Sequence, residues 1–171
     1  MSDSSSEAVE KLRKLIKGIK IAMLTTVGDD GSLRSRPMAT QETEFDGTLW
    51  FFTRGDAPKV DEVQQEQHVN VSYAAPEDQR YVSVSGRATL IRDKAKIKEL
   101  WNPLYKAWFP QGLDDPQLAL LRVAADKAEY WDTSSSTMMH LVGFVKALAT
   151  GKEYHPGENE KLNLTASRAK S

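Results

Sequence analysis

With 171 residues, 40% of them hydrophobic, the chain is long enough to bury one hydrophobic core. Its formal net charge of −1 argues against nucleic-acid binding driven by bulk electrostatics, and the absence of cysteine excludes disulfides, thiolate catalysis and cysteine-ligated metal sites. No apolar run reaches membrane-spanning length and no basic-then-apolar leader opens the sequence, so we expect a cytoplasmic protein that binds neither membranes nor nucleic acid.

The first segments predict a helix followed by a pair of strands. Residues Ser4 to Glu7 have the spacing of a capping box, and the apolar residues that follow share one helical face until Gly18, where we expect the helix to end. The β-branched run from Ile19 to Val27 predicts a strand. A Gly-Asp-Asp-Gly turn at residues 28–31 closes that strand, and Leu33 begins its antiparallel partner.

An Asp-Gly pair at residues 46–47 separates two extended runs. The first run, Leu33 to Phe45, carries two arginines, and the second, Thr48 to Thr53, is short, apolar and aromatic. Because glycine supplies the positive φ of a tight turn, this pattern is typical of a β-hairpin. The sequence therefore predicts a three-stranded meander after the first helix.

Cations collect where this hairpin would meet the next helix. We interpret Asp56 as the N-cap of a helix from Ala57 to His68, with Pro58 in its first turn. Pairing of the predicted strands would bring Arg36 to the same edge as Lys59, and a helix N-terminus favours anions. The spacing is compatible with a phosphate site, although strand arginines are more often solvated side chains.

The next segments alternate between strands and short helices. Two strands are predicted, Val69 to Ala74 and Arg80 to Arg92, the second with a bulge or bend at Gly86. Asp93 is a predicted cap of the following helix, and Asp115, which precedes a proline, predicts another helix start.

The last strand and the chain end complete the predicted architecture. Val123 to Asp132 predicts a late strand, and a short helix from Met138 to Leu148 is expected to stop at Gly151. We expect residues 1–151 to form a single domain and residues 152–171 to form a loose polar tail. Several strands with short turns and small helices predict a mainly β, α+β protein, a closed or nearly closed antiparallel barrel.

Two groups of motifs resemble a known family. Arg36-Pro37-Met38, Phe51-Phe52-Thr53 and Lys59 resemble the flavin-binding segment of the pyridoxamine 5′-phosphate oxidase-like proteins. Residues 101–116, which include two tryptophans and a Gly-Leu-Asp-Asp-Pro run, resemble the general stress protein branch, as does the Ala-Glu-Tyr-Trp-Asp run at residues 128–132. The resemblance implies an antiparallel split β-barrel with peripheral helices, which binds FMN, or FAD, at the subunit interface of a homodimer.

The resemblance also implies which residues contact the cofactor. Arg36 and Lys59 match the residues that hold the FMN phosphate, and Trp131 matches a tryptophan that reaches the flavin from the partner subunit. Tyr81 stands where the true oxidases carry glutamine. The full set of implied cofactor-binding residues is Arg36, Pro37, Met38, Phe52, Thr53, Lys59, Tyr81 and Trp131. The stretch from Ser134 to Leu141 has no arginine where the oxidases carry an Arg–His–Asp–Arg run, which argues against pyridoxamine phosphate oxidase activity itself.

Four functions stay open at this stage. The first is an FMN-dependent oxidoreductase of a small molecule, in which the flavin supplies the redox chemistry. The second is a stress protein that binds or senses flavin without turnover. A haem-binding split barrel is disfavoured, because the three histidines show no axial-ligand pattern. A cofactor-free interaction module leaves the cations and aromatic run unexplained. No residue is identified as catalytic and none as a metal ligand, and His68 is interpreted as a helix-end or surface residue.

Overall fold

A computed structural model describes residues 2–41, 44–132, 148–151 and 158–165. Its helices are α1 (Ser2–Ile16), α2 (Pro58–Gln65) and α3 (Lys94–Leu100), with single helical turns at Pro76–Asp78, Pro103–Ala107 and Gly112–Asp114. Its strands are β1 (Ile21–Val27), β2 (Leu33–Ala39), β3 (Thr48–Arg54), β4 (His68–Ala75), β5 (Arg80–Ile91), β6 (Leu118–Asp132) and β7 (Glu158–Asn163). Most of the predicted helix from Met138 to Leu148 lies outside the described residues.

The strands form one antiparallel sheet in the order β2-β1-β4-β5-β6-β3, with β7 added to β6. The 15-residue strand β6 is long enough to pair with β5 along most of its length. On its other side, residues 118–124 pair with β3 and residues 127–132 pair with β7. The sheet curls into a split β-barrel with peripheral helices, which confirms the predicted fold class.

The predicted hairpin between the second and third strands is wrong. Strand β2 ends at Ala39, and β3 pairs with β6, where Phe52 lies opposite Leu120. Both faces of β3 are apolar, because Leu49 and Phe51 face the barrel interior and Phe52 faces outward. Pairing with the apolar start of β6 buries both faces, whereas the turn signal at residues 46–47 specified only local chain direction.

The barrel interior is closed by α1. Leu12 and Leu15 of this helix are buried against core residues from the central strands, such as Val71 and Val84. The helix begins at Ser2, so the predicted start at the capping box is wrong. Its predicted end is confirmed, because the helix stops at Ile16 and Gly18 has a φ of +82°, a conformation that favours glycine.

A second hydrophobic cluster lies on the outside of β3 and β6. It contains Leu118 and Leu120 of β6 and is covered by α3, whose predicted cap is confirmed by a 2.9 Å bond from Ala95 N to Asp93 Oδ1. We call Phe52 and the three rings that contact it the outer aromatic cluster: Phe52, Trp101, Tyr105 and Phe109.

Two further expectations are corrected and one is confirmed. No helix starts at Asp115, whose buried carboxylate instead accepts a 2.7 Å hydrogen bond from Arg54 Nη1 before β6 begins. Residues 158–164 are not a loose tail, because β7 pairs with β6 and Leu164 is fully buried. The predicted bulge at Gly86 is confirmed by a register shift there, and a Cβ at this position would lie 2.4 Å from Ala124 O.

Within the described residues, no helix is both long enough and apolar enough to cross a membrane. The same part of the chain contains no group of three or more residues that could hold a metal ion.

Candidate functional site

The two arginines of β2 point to the inner side of the sheet. Side chains alternate along a strand, so Arg34 and Arg36 share the face of Met38, which is buried in the core. On the neighbouring strand β1, Thr26 lies opposite Arg34 and is fully buried. The arginines therefore line one end of the barrel interior rather than an outer, fully solvated face.

Helix α2 closes this end of the barrel and supplies a carboxylate to both arginines. Arg34 Nη1 donates to Glu62 Oε1 at 2.9 Å, and Arg36 Nη2 donates to Glu62 Oε2 at 2.9 Å. Arg36 Nη1 also donates to Thr26 Oγ1 at 2.7 Å, and the Thr26 hydroxyl donates to Glu62. With only 8% of its side chain exposed, Glu62 is the buried centre of this network.

Lys59 lies beside this network, in the first turn of α2. Burial, and then the positive charge of Arg36, lower the pKa of Lys59. The Lys59 side chain makes no hydrogen bond or ion pair with any residue in the part of the chain that the structure describes. We call Thr26, Arg34, Arg36, Lys59 and Glu62 the cationic cluster; with three cations and one carboxylate, it carries a net charge of +2.

The start of α2 adds the positive end of a helix dipole to the cationic cluster, although Pro58 has no N–H and Val60 N already donates to Ala57 O at 2.9 Å. The N-cap of this helix is Ala57, which offers no side-chain acceptor to the first N–H groups. The prediction that Asp56 caps the helix is therefore wrong, because its carboxylate accepts a hydrogen bond from Arg54 Nε at 3.1 Å instead. An uncapped helix start beside excess positive charge is suited to bind an anion such as a phosphate.

The predicted aromatic–threonine pair is split between the two faces of β3. Thr53 is buried, and its hydroxyl donates to the carbonyl of Arg54 at 3.3 Å. Phe52 points to the opposite face, where its ring centroid lies 5.5 Å from that of Trp101 and 5.2 Å from that of Tyr105. None of the described ring contacts of Phe52 involves the cationic cluster.

Pro37 and Met38 can offer a cofactor different groups. Pro37 is exposed, whereas the side chain of Met38 is buried. Strand β2 is the first strand of the sheet order, so its backbone groups on the side away from β1 have no strand partner among the described residues. Contact with a planar ligand along this edge would therefore use the backbone of β2 and the ring of Pro37.

Tyr81 and Trp131 are neighbours on the outer face of the sheet. They lie opposite each other on β5 and β6 and are 43% and 42% exposed. Ile21 and Met23 on β1 are exposed on the same face, since Ala22 between them is buried. We call these four residues the outer apolar patch. Because the arginine side chains project from the inner face, the structure does not bring Tyr81 or Trp131 to Arg36 within one chain.

Sequence reasoning missed the two polar residues that organise the cationic cluster. Glu62 resembles any charged residue on an exposed helix face, although it stands between the inward-facing Val60 and Val63. Thr26 resembles any strand threonine. His68 does not end α2, which stops at Gln65, but begins β4. Its interpretation as a surface residue is confirmed, because it is exposed, with its Nδ1 2.7 Å from Glu66 Oε1.

Comparisons with known proteins find similar sequences and similar folds. The sequence model of the family described as "Pyridoxamine 5′-phosphate oxidase like" matches residues 7–155. Protein bli-3 of Neurospora crassa is 28% identical over 156 residues, which cover 85% of this chain and 75% of that protein.

Solved structures add a closer relative and a broader match of fold. The general stress FMN/FAD binding protein from Xanthomonas citri is 35% identical, with 77% of this chain and 92% of that chain covered and a TM-score of 0.65. A protein related to general stress protein 26, from Clostridium acetobutylicum, covers 94% of this chain and 97% of its own with a TM-score of 0.69. At 17% identity, the second match supports the fold alone.

Proposed function

The chain belongs to the pyridoxamine 5′-phosphate oxidase-like family, and from this premise we propose that it binds FMN and uses the flavin to oxidise or reduce a small molecule. The observation that carries the proposal is the cationic cluster, in which Lys59 has no partner among the described residues and lies near Arg36 at an uncapped helix start. The description of the Xanthomonas citri relative as an FMN/FAD binding protein supports the same cofactor class.

In this proposal each part of the site has a separate task. Arg36 and Lys59 bind the phosphate, and the free backbone edge of β2 at Pro37 and Met38 lies along the flavin ring. The bound flavin would supply the redox chemistry, so the protein has to bind, orient and shield it. The proposal does not extend to pyridoxamine phosphate oxidation, because residues 134–141 lack arginine.

We also propose that two copies of the chain pair through the outer apolar patch. Ala74 of β4 lies opposite Tyr81, which lies opposite Trp131, so apolar side chains form a row across three strands. Ile21 of β1 is 50% exposed near the same end of the sheet. Exposed apolar residues grouped on one face of a sheet are typical of subunit interfaces. The family resemblance adds that Trp131 of one chain reaches the flavin bound by the other.

The proposal is tested by adding FMN to the purified protein, removing the excess and recording the absorption spectrum. We expect retained flavin at one molecule per chain, and a mass by light scattering of twice the chain mass. Loss of one charge-assisted contact costs about 1.5–3 kcal/mol, so Arg36→Ala and Lys59→Ala should each weaken FMN binding by about tenfold or more.

Arg122→Ala and Lys98→Ala are matched controls, because both side chains are exposed on other elements. We expect these controls to bind FMN as the unchanged protein does. Folded protein that retains no flavin would refute the binding proposal. Reduction of bound flavin by NADH or NADPH would support the redox role, and flavin that no reductant turns over would favour the non-enzymatic alternative.

A further inference from the structure

We propose that Glu62 is a positioning residue for the flavin phosphate, which holds Arg34 and Arg36 in one geometry and thereby makes the site prefer FMN to riboflavin. The inference rests on the FMN binding proposed above. It adds Glu62, Thr26 and Arg34 to the residues on which recognition of the phosphate depends.

The Glu62 carboxylate links the two arginines of β2, and we call this arrangement the clamp. Each oxygen of Glu62 accepts from a different arginine, both at 2.9 Å, so the separation of the two guanidinium groups is set by one carboxylate. Without this shared acceptor, like charges on alternate residues of β2 would repel each other. Because Arg34 and Arg36 are 59% and 20% exposed, the repulsion would be relieved by turning the side chains toward water.

The clamp leaves donors free to bind an anion. A guanidinium group has five N–H donors, and Arg36 uses Nη1 for Thr26 and Nη2 for Glu62. Its remaining donors have no partner among the described residues, and the three donors of Lys59 are likewise unused there. A phosphate with several oxygens fits this set, whereas riboflavin lacks the group that would use it.

Glu62 is held in the charged form that the clamp requires. Burial by itself would raise the pKa of Glu62, but the hydrogen bond from Thr26 and the charges of Arg36 and Arg34 outweigh it and lower the pKa. At neutral pH both oxygens are therefore acceptors. A glutamine at this position has one acceptor oxygen, and its NH₂ group would face an arginine donor.

A simple counterion would have the opposite effect on binding. If Glu62 only neutralised the arginines, its removal would raise the net charge of the cluster and strengthen phosphate binding. If Glu62 positions the arginines, its removal weakens phosphate binding although the charge becomes more favourable. The sign of the change in FMN affinity therefore distinguishes the two roles.

The experiment measures dissociation constants for FMN and for riboflavin in Glu62→Ala, Glu62→Gln and Thr26→Val. For Glu62→Ala we expect FMN affinity to fall about tenfold or more, the size of one lost charge-assisted contact, with riboflavin affinity unchanged. Glu62→Gln should lose less FMN affinity than Glu62→Ala, because one acceptor oxygen remains. Thr26→Val keeps a β-branched residue in β1. It should also weaken the binding of FMN but not that of riboflavin.

Asp61→Asn is the matched control, because Asp61 is exposed on the same helix and its replacement removes the same charge. We expect it to leave the ratio of the two affinities unchanged. The inference would be overturned if, in both Glu62→Ala and Thr26→Val, the ratio of FMN affinity to riboflavin affinity stayed unchanged or increased. If the unchanged protein bound no FMN, the proposed function would fail first, so the two failures can be distinguished. Riboflavin binding also shows that each variant is folded.

Discussion

The cationic cluster and the outer aromatic cluster both adjoin β3 or the helix that follows it, yet one consists of charged side chains and the other of packed aromatic rings. The outer aromatic cluster packs rings against each other and against α3, with Phe52 only 8% exposed at its centre. The cationic cluster has three cations around one carboxylate, and Arg34 in it is 59% exposed. The first region reduces exposed apolar area, whereas the second keeps like charges together.

This difference separates a region that stabilises the fold from a region whose charges fit the phosphate site proposed above. Burial of large aromatic side chains contributes directly to the free energy of unfolding. Like charges held close together do not stabilise a fold, and the Lys59 side chain has a lowered pKa and no partner among the described residues, which suits the binding of an anion. Phe52 and Thr53 are adjacent in sequence, but alternation along β3 separates Phe52 from the interior that Thr53 faces.

The largest expected effect is that of Phe52→Ala on stability. Removing a buried phenylalanine ring typically costs about 3–5 kcal/mol, so the free energy of unfolding should fall by that amount in a denaturant titration. Leu104→Ala, at a 77% exposed position of the helical turn Pro103–Ala107, is the control and should stay within about 0.5 kcal/mol. A Phe52→Ala protein of normal stability with weakened FMN binding would contradict the division of roles and return Phe52 to the cofactor site.

A smaller effect is expected from the titration of Lys59. Its pKa lies below the usual lysine value in the free protein, so as the pH rises through that lowered pKa the ammonium loses its proton and FMN affinity should fall. At lower pH the lysine is charged and binding is at its strongest. The fall should approach about tenfold per pH unit at most, which corresponds to one released proton.

The measurement is the FMN dissociation constant between neutral and alkaline pH, with riboflavin titrated in parallel. Riboflavin shares the flavin ring but lacks the phosphate, so its curve corrects for titration of the ring. Lys59→Met should bind FMN more weakly at all pH values. Its FMN affinity should not show the part of the alkaline decrease that comes from deprotonation of Lys59. A Lys59→Met curve that runs parallel to that of the unchanged protein would separate Lys59 from the phosphate.

The smallest effect is expected for Lys96→Ala, whose side chain contacts Trp50 beside the outer aromatic cluster. The Lys96 ammonium lies 5.0 Å from the ring centroid of Trp50, and such a contact contributes about 0.5–1 kcal/mol at an exposed site. Thermal unfolding should therefore shift by only a few degrees, whereas FMN affinity should not change. Lys96→Arg should retain the stability, and Lys98→Ala on the exposed side of α3 is the control.

The sequence predicted most of the elements because their patterns are local. Alternation predicted β4 and β5, a Gly-bounded apolar run predicted β1, and the cap at Asp93 predicted α3, all confirmed in the structure. The Arg-Pro-Met and aromatic–threonine motifs, with Lys59, indicated the family and therefore the split barrel. The roles of the individual residues toward a flavin are still predictions.

Only the tertiary structure decided which strands pair and what surrounds each charge. The turn signal at residues 46–47 fixed a local reversal, but β3 pairs with β6 because that partner buries both of its apolar faces. The pattern of residues 158–163 is too polar to predict a strand, yet the open edge of β6 pairs with it. Glu62 acquires its role only when α2 closes the barrel end, because two arginines from β2 then meet one buried carboxylate.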